Sequence, residues 1–309
     1  MPPDFLLRPP RPEEASAITA LLNAHSQALH GTDDVDENEI RSWFEIPSLD
    51  PERDMRLAVA ADGTLLGYAD VSDGGERKVR YWLDVRLRPG ADAGVPQALL
   101  DATEARARET AAPDARTVFF ASSKDGVMAP IVAERGYDLV RHDFNMEIGL
   151  GKEPPPQPEW PDGIELEPYA GDDPRRVYEA DMESFADHWE FEREPYEDWA
   201  HGRFREPHDP SLWFLAVDRG ALAGICLCRP HRTGDPELGW VSVLGVLPPW
   251  RRRGLGLALL RHAFREFHGR GLRRVGLGVD AVNTTGAVGL YERAGMRPVR
   301  RNDIYMRDL

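Results

Sequence analysis

The stretch Trp240–Leu260 reads WVSVLGVLPPWRRRGLGLALL, and it decides the fold of the C-terminal half. Its β-branched residues predict a strand over Val241–Val246, which stops at two prolines. Three arginines and a Gly-Leu-Gly sequence follow, and apolar residues at helical spacing then predict a helix from Leu255. A strand that leads through a glycine-containing turn into a helix predicts an anion site.

The composition of this turn strengthens the prediction of a bound anion. The first amides of a helix have no acceptor within the helix, and the positive end of its dipole lies beside them. Gly254 and Gly256 allow the backbone to approach a ligand closely. Arg251, Arg252 and Arg253 are unfavourable at a helix N-terminus without an anion, and guanidinium groups can fork onto phosphates. The turn therefore predicts a pyrophosphate site, and the alternative is a purely structural turn.

The turn resembles the signature of the GNAT acetyltransferase superfamily. In that signature Gln or Arg, two variable residues, Gly, one variable residue and Gly or Ala follow a hydrophobic strand. Arg251, Gly254 and Gly256 fill its three fixed positions. The resemblance implies that turn amides bind the pyrophosphate of acetyl-CoA, the acyl donor, and that the strand end pairs with its pantetheine arm. The implied cofactor-binding residues are Leu244, Gly245, Val246, Arg251, Arg252, Arg253, Gly254, Leu255, Gly256 and Leu257.

A second segment looks like the other hallmark of the same family. Asn283 precedes a predicted helix that ends in Leu290–Met296, with the sequence LYERAGM. In the family the tyrosine hydroxyl lies near the thioester sulfur, so by resemblance Tyr291 donates a proton to the leaving thiolate. A tyrosine, with a pKa of about 10, can supply such a proton. The resemblance also implies that Asn283 binds the coenzyme arm, and the alternative for Tyr291 is an ordinary core position.

The same plan of elements occurs twice in the 309 residues. The segment Gly151–Gly163 contains three consecutive prolines and predicts a linker. On either side of it, Gly94–Leu100 aligns with Gly254–Leu260. We therefore predict an α/β protein with two tandem GNAT-like domains, residues 1–150 and 164–309. Each is expected to be a mixed, mostly antiparallel twisted sheet flanked by helices.

The first half has lost the residues that an anion site needs. Ala91, Asp92 and Ala93 replace the three arginines, and Pro96 replaces Gly256 and removes an amide. We predict a degenerate domain over residues 1–150 and a catalytic domain over residues 164–309. This tandem layout is similar to that of mycothiol synthase. That enzyme carries an acidic residue on the strand before the turn, and Trp240 occupies the corresponding position here. The identity of the acceptor therefore stays open.

Attack of an amine on a thioester needs a group that takes the amine proton. Candidate general bases are Glu237, just before the core strand, and Glu183, Asp187 and His188 in the first helical region. A solvated surface position is the alternative for each. The acceptor pocket of the family usually forms in this helical region. The candidate substrate-binding residues are His188, Trp189 and Trp240.

Composition narrows the class of protein further. The net charge of −15 disfavours nucleic acid as a partner, because phosphate backbones select basic surfaces. No apolar run approaches the roughly 18 residues of a membrane span, and the N-terminus lacks a signal-peptide pattern. The two cysteines, Cys226 and Cys228, are too few for a metal site. We therefore expect no metal and no membrane partner.

These observations together predict a cytoplasmic N-acetyltransferase that acts on a small-molecule amine, as a monomer or homodimer. The acidic surface is compatible with steering of a cationic acceptor. Two alternatives stay open at this point. One is a non-catalytic module that binds acyl-CoA, and the other is a mycothiol synthase-like acetyltransferase.

Overall fold

The structure is a computed structural model that describes residues 4–73, 75, 77–282 and 286–309. The described chain forms two compact units. The first contains the residues up to His142 together with Asn302–Leu309, and the second contains Asp143–Arg301. Each unit has a mixed, mostly antiparallel sheet with helices packed on it, so the predicted α/β class is confirmed.

In the first unit the sheet order is β1-β2-β3-β4-β5, and only the pairing of β4 with β5 among these is parallel. The strands are β1 (Phe5–Arg8), β2 (Met55–Ala60), β3 (Leu65–Asp73), β4 (Arg80–Leu87) and β5 (Arg116–Ser122). The helices are α1 (Ala15–His30), α2 (Glu37–Trp43), α3 (Pro51–Asp54), α4 (Gly94–Thr110) and α5 (Met128–Glu134).

The second unit repeats this order, with β10 and β11 as its parallel pair. Its strands are β7 (Ile164–Pro168), β8 (Trp213–Asp218), β9 (Ala221–Arg229), β10 (Leu238–Val246) and β11 (Arg274–Asp280). Its helices are α6 (Pro174–Phe185), α7 (Tyr196–Phe204), α8 (Leu255–Gly269) and α9 (Ala287–Arg293). The last strand of the first half of the sequence is β6 (Asp138–Gly149), and the last strand of the second half is β12 (Arg297–Asp308). None of the helices within the described ranges is both long and apolar enough to cross a membrane.

The last strands are exchanged between the halves of the sequence. The end of β12, Asn302–Asp308, pairs with β5 in the first unit. The end of β6, Asp143–Gly149, pairs with β11 in the second. The compact units therefore differ from the predicted ranges 1–150 and 164–309. Two similar last strands satisfy the same alternation, so the sequence alone does not say which neighbour each one joins.

The predicted linker is part of the second unit, where it lies against α8. The guanidinium of Arg265 donates to the carbonyl of Pro155, and the ring of Trp160 lies 6.0 Å from that of His262. Proline-rich chain without strand partners can satisfy its carbonyls in this way. The segment therefore has a packing role that its composition did not predict.

The height of α8 above the sheet is set by glycines in the strands beneath it. A Cβ atom on Gly239 of β10 would lie 2.6 Å from the ring of Phe267 in α8. A Cβ atom on Gly224 of β9 would lie 3.2 Å from Leu259. Both helix side chains are fully buried. The close approach fixes where the N-terminus of α8 meets the end of β10.

We expect Gly239→Ala to destabilise the second unit, because the added methyl forces the buried Phe267 ring to move. Overpacking of this kind costs about 1–3 kcal/mol. Urea unfolding followed by tryptophan fluorescence measures the change as a lower midpoint. The matched control is Gly269→Ala at the end of α8, where a Cβ atom meets nothing within 4 Å. Equal midpoints for the two variants would contradict this account of the packing.

Candidate active site

The parallel strands β10 and β11 separate at their C-terminal ends. Their pairing runs from Leu238↔Arg274 to Val241↔Leu277, and both strands continue beyond it. A bulge between Val241 and Val243 turns β10 at this point. We call the opening between 242–246 of β10 and 278–280 of β11 the wedge. Beyond Leu277, β11 pairs with β6 on its other side, so backbone groups of β10 face the wedge and have no strand partner there among the described residues.

The glycine turn presents a set of backbone amides at the end of β10. Arg252 and Gly254 both have left-handed backbone conformations, with φ of 61° and 87°. No side chain caps α8, and among the described residues the amides of 252–257 have no acceptor. Successive amides in such a turn form a concave anion site, which the helix dipole reinforces. The local geometry therefore has the features of the predicted pyrophosphate site.

Two further glycines of the motif allow close packing around this turn. A Cβ atom on Gly256 would lie 3.2 Å from Leu290, so Gly256 lets α9 approach α8. A Cβ atom on Gly245 would lie 2.7 Å from the Cβ atom of Ser184, so Gly245 lets α6 lie on β10. These contacts bring α6, α8 and α9 together around the wedge.

The guanidinium of Arg251 binds the protein rather than an open anion site. Its Nε atom donates to the carbonyl of Val246 over 3.0 Å. Its Nη2 atom donates to the carbonyl of Ser184 and to the carboxylate of Asp187, each over 3.0 Å. Arg251 therefore ties the end of β10 to the C-terminus of α6. The motif predicts phosphate contacts for all three arginines, and it contains no sign of this partnership because Ser184 and Asp187 are distant in sequence.

The other two arginines of the turn differ from each other. Arg253 donates to the carbonyl of Asp162 over 3.1 Å and lies 3.7 Å from the carboxylate of Asp218. Arg252 is exposed and makes no hydrogen bond or ion pair with any described residue. Of the three, Arg252 is therefore the side chain that is ready to bind an incoming anion.

Tyr291 lies in α9 and is 7% exposed, within the apolar cluster under α8. Burial, followed by the nearby thiol of Cys226, raises the pKa of Tyr291 above its usual range. The tyrosine therefore keeps its proton at neutral pH and can act as a donor. Its hydroxyl forms no hydrogen bond with the described part of the chain. Asn283, the predicted ligand of the coenzyme arm, lies outside the described residues.

The structure places Glu237 apart from the other predicted general bases, which lie on or just after α6. Glu237 is exposed just before β10, nine residues from Val246, which is roughly 30 Å along an extended strand. Glu183 is exposed on α6. Asp187 binds Arg251, and this hydrogen bond holds the pKa of Asp187 below its usual range. Glu237 is therefore not brought to the wedge, and Asp187 is a weak base.

The predicted substrate-binding residues lie on two elements of the second unit. His188 is half-buried after α6, and burial lowers its pKa against the opposing effect of Asp187 and Asp280. Trp189 follows it and is also half-buried. Trp240 lies in β10, next to Gly239, and a Cβ atom on Gly276 of β11 would meet its ring at 2.8 Å. Because Gly239 faces α8, Trp240 faces the opposite side of the sheet.

Two carboxylates that no motif predicts lie near the wedge, one at the end of β11 and one on the neighbouring strand β6. Asp143 of β6 and Asp280 of β11 are directly opposite each other in the register. Burial, followed by the charge of Asp280, raises the pKa of Asp143 to about 6. Asp280 alternates with Gly276 and Gly278, so it points to the same sheet face as Trp240. No motif contains Asp143, because it precedes the predicted linker and enters this unit only through the exchanged strand.

Comparisons with known proteins agree with this geometry. The sequence pattern of the Acetyltransferase (GNAT) family matches residues 175–296. A mycothiol acetyltransferase from Geodermatophilus obscurus is 34% identical over 293 residues, which cover 92% of this chain and 91% of that protein. A crystal structure of a GCN5-related N-acetyltransferase from Sphaerobacter thermophilus has a TM-score of 0.80 and 32% identity, and covers 100% of this chain and 96% of that one.

A tandem GNAT protein from the clavulanic acid biosynthesis pathway shares the fold, with a TM-score of 0.72 and 17% identity, and covers 98% of each chain. The similarity to these relatives along nearly the whole chain confirms the resemblance that the two motifs indicate. It also confirms acetyl-CoA as the acyl donor. The chain therefore belongs to the GNAT family of acetyltransferases.

Proposed function

We propose that the second unit transfers the acetyl group of acetyl-CoA to the amine of a small molecule, which attacks directly in a ternary complex. The observation that carries this proposal is the row of amides 252–257, which have no acceptor in the described part of the chain and lie beside the open edge of β10. The amides and the exposed Arg252 fit a pyrophosphate, and the edge 242–246 fits an extended amide-bearing arm. When bound, the coenzyme supplies a thioester carbonyl as the electrophile.

The chain supplies a polar group for each charge that develops as the amine attacks the thioester and the thiolate leaves. Backbone amides of β10 near Val246 face the wedge and can stabilise an oxyanion. Tyr291 keeps its proton at neutral pH and gives it to the leaving thiolate. Arg251 does not contact the reacting groups in this proposal, and it positions the end of β10 through the carbonyl of Val246.

We assign the proton-accepting role to the pair Asp143 and Asp280. A general base works best when its pKa lies near the working pH, and the pKa of about 6 for Asp143 meets this condition. The pair also places negative charge beside the wedge, where it attracts an ammonium group before the proton is removed. Glu183 stays a second candidate, because it lies one residue from Ser184, whose carbonyl binds Arg251.

The relatives suggest which amine to test first. They are named mycothiol acetyltransferase, and the match covers most of both chains. The deacetylated form of mycothiol is therefore the first acceptor to test. His188, Trp189 and Trp240 are proposed to contact the acceptor, since Trp240 shares the sheet face of Asp280 and His188 lies close enough for Asp280 to influence its pKa.

We propose that the first unit does not bind the coenzyme. In α4, the carboxylate of Asp92 already accepts from the amide of Gly94 over 2.8 Å. Pro96 removes a further amide from the first turn of this helix. The first amides of α8 have no acceptor among the described residues. In α4, by contrast, the chain itself accepts from the amide of Gly94, and Pro96 has no amide to offer.

We expect Gly254→Pro to weaken acetyl-CoA binding at least about 100-fold, because proline cannot adopt a φ of 87° and would displace the turn amides. Calorimetric titration of acetyl-CoA into the intact chain measures the loss. The control is Gly94→Ala at the aligned position in the first unit, which keeps the amide that donates to Asp92. Unchanged affinity in Gly254→Pro, or two sites per chain, would contradict the assignment.

We expect Tyr291→Phe to lower kcat by roughly 100- to 10,000-fold with little change in acetyl-CoA affinity, because it removes the proton donor alone. Steady-state acetylation of the amine acceptor measures this effect. Tyr81→Phe is the control, since its hydroxyl bonds Thr110 in the first unit. A rate like that of the control would make Tyr291 a packing residue.

We expect kcat/KM to rise with pH through about 6, as Asp143 loses its proton and becomes able to accept one. Asp280→Asn removes the neighbouring negative charge, lowers the pKa of Asp143 and moves this limb of the profile to lower pH. Asp143→Asn abolishes the limb. Glu237→Gln is the control, and we expect it to leave the pH profile of kcat/KM unchanged. If Glu237→Gln abolished the limb and Asp143→Asn did not, the role of general base would return to Glu237.

A further inference from the structure

The strands β6 and β11 carry three pairs of residues on the sheet face opposite α8. The pairs are Asp143↔Asp280, Asn145↔Gly278 and Glu147↔Gly276. The residues between them, such as Met146 and Leu277, belong to the apolar cluster under α8, so the three pairs face the other way. The ring of Trp240 lies on this face, over Gly276. The pair of Asn145 and Gly278 is therefore placed between the two carboxylates and the Trp240 ring.

The pair of Glu147 and Gly276 is closed to a ligand. A Cβ atom on Gly276 would lie 2.8 Å from the ring of Trp240 and 3.3 Å from the Cγ atom of Glu147. The carboxylate of Glu147 accepts from the guanidinium of Arg274 over 3.0 Å. The Trp240 ring therefore covers this end of the face, and the carboxylate there already has a partner.

The side-chain space above Gly278 is open. Gly278 is exposed, and a Cβ atom on it would meet, among the described atoms, only Oδ2 of Asp143, at 3.9 Å. Its backbone is that of an ordinary strand, so no turn requires a glycine here. A glycine inside a strand weakens the sheet and often marks a place where a ligand comes close. We call this open space above Gly278 the gap.

Asn145 faces the gap from the opposite strand. Its side chain is half-buried, and its amide makes no hydrogen bond with any residue in the described part of the chain. The amide carries two N–H donors and one acceptor oxygen. Polar groups that are shielded from water usually have a partner. An amide without a protein partner, beside a position without a side chain, fits a polar group that arrives with the acceptor.

We propose that Asn145 is a specificity-determining residue, which binds a hydrogen-bonding substituent of the acceptor in the gap while the amine lies at Asp143 and Asp280. This role rests on the acetyl transfer to an amine proposed for the second unit. Neighbouring pairs are two residues apart along each strand, which is roughly 7 Å. The acceptor class is therefore a primary amine with a hydroxyl, carbonyl or amide group at about that separation from its nitrogen. The Trp240 ring borders the gap and suits the carbon atoms of such a molecule.

The test compares two acceptors, hexylamine and the linear aminopentanol with its amine and hydroxyl at opposite ends. The two chains are equally long, and a hydroxyl in one replaces a methyl group in the other. We expect kcat/KM to be roughly 3- to 10-fold higher for aminopentanol, the effect of one hydrogen bond, with the difference in KM rather than kcat. Asn145→Leu keeps the size of the side chain and removes the amide, so we expect it to abolish this preference.

A second variant tests the gap itself. Gly278→Val fills the gap, and valine suits a strand, so we expect its Tm to match or exceed that of the parent chain. We expect kcat/KM to fall at least about tenfold for both amines, because neither can reach the reacting position, with unchanged acetyl-CoA affinity. The control Asn38→Leu alters an exposed asparagine of α2 and leaves both acceptors unchanged.

Calorimetric titration of each amine into the complex with coenzyme A measures binding apart from turnover. Tighter binding of aminopentanol that depends on Asn145, without its acetylation, would contradict the proposed transfer and leave the role of Asn145 standing. Acetylation of both amines with the same ratio in the parent chain and in Asn145→Leu overturns that role and leaves the transfer standing. The role is also overturned if neither amine binds, or if Gly278→Val retains the parent kcat/KM for both.

Discussion

The separation of β10 from β11 after Val241↔Leu277 is the constraint on which the candidate active site depends. Continuous pairing would leave no backbone groups for a coenzyme arm and no space for a thioester. The bulge after Val241 turns the strand, and Arg251 then holds its end against α6. The free amides of the following turn are useful only because this end is fixed. Arg251, which the motif predicts to bind the coenzyme, thus holds the end of β10 in place.

The local features of the site could be predicted from sequence because their causes are local. Gly254 has the left-handed conformation that a glycine in such a turn suggests, and Gly295 ends α9 in the same way. The strand, the turn and the helix follow one another along the chain, so period and glycine spacing suffice to predict them. The order of elements in both halves was predictable for the same reason.

The remaining features depend on contacts between residues that are distant in sequence. Arg251 meets Ser184, and Asp143 meets Asp280, across 67 and 137 residues respectively. Neither partnership leaves a pattern in the sequence. The same holds for the exchanged last strands, since either strand satisfies the alternation that the neighbouring strand requires. The pKa of Asp143 is raised by its burial and by its position opposite Asp280, and both of these arise only when the sheet folds.

The exchanged strands also bear on how the chain is made. The second unit consists of one continuous stretch, Asp143–Arg301, whereas the first needs Asn302–Leu309 to pair with β5. During synthesis the N-terminal half emerges first, but β5 lacks this neighbour until Asn302–Asp308 have also emerged. An early-made unit therefore waits with an unpaired strand edge, which is prone to wrong pairing. Completion of the first unit therefore comes after synthesis of the second, because its missing strand follows Arg301 in the chain.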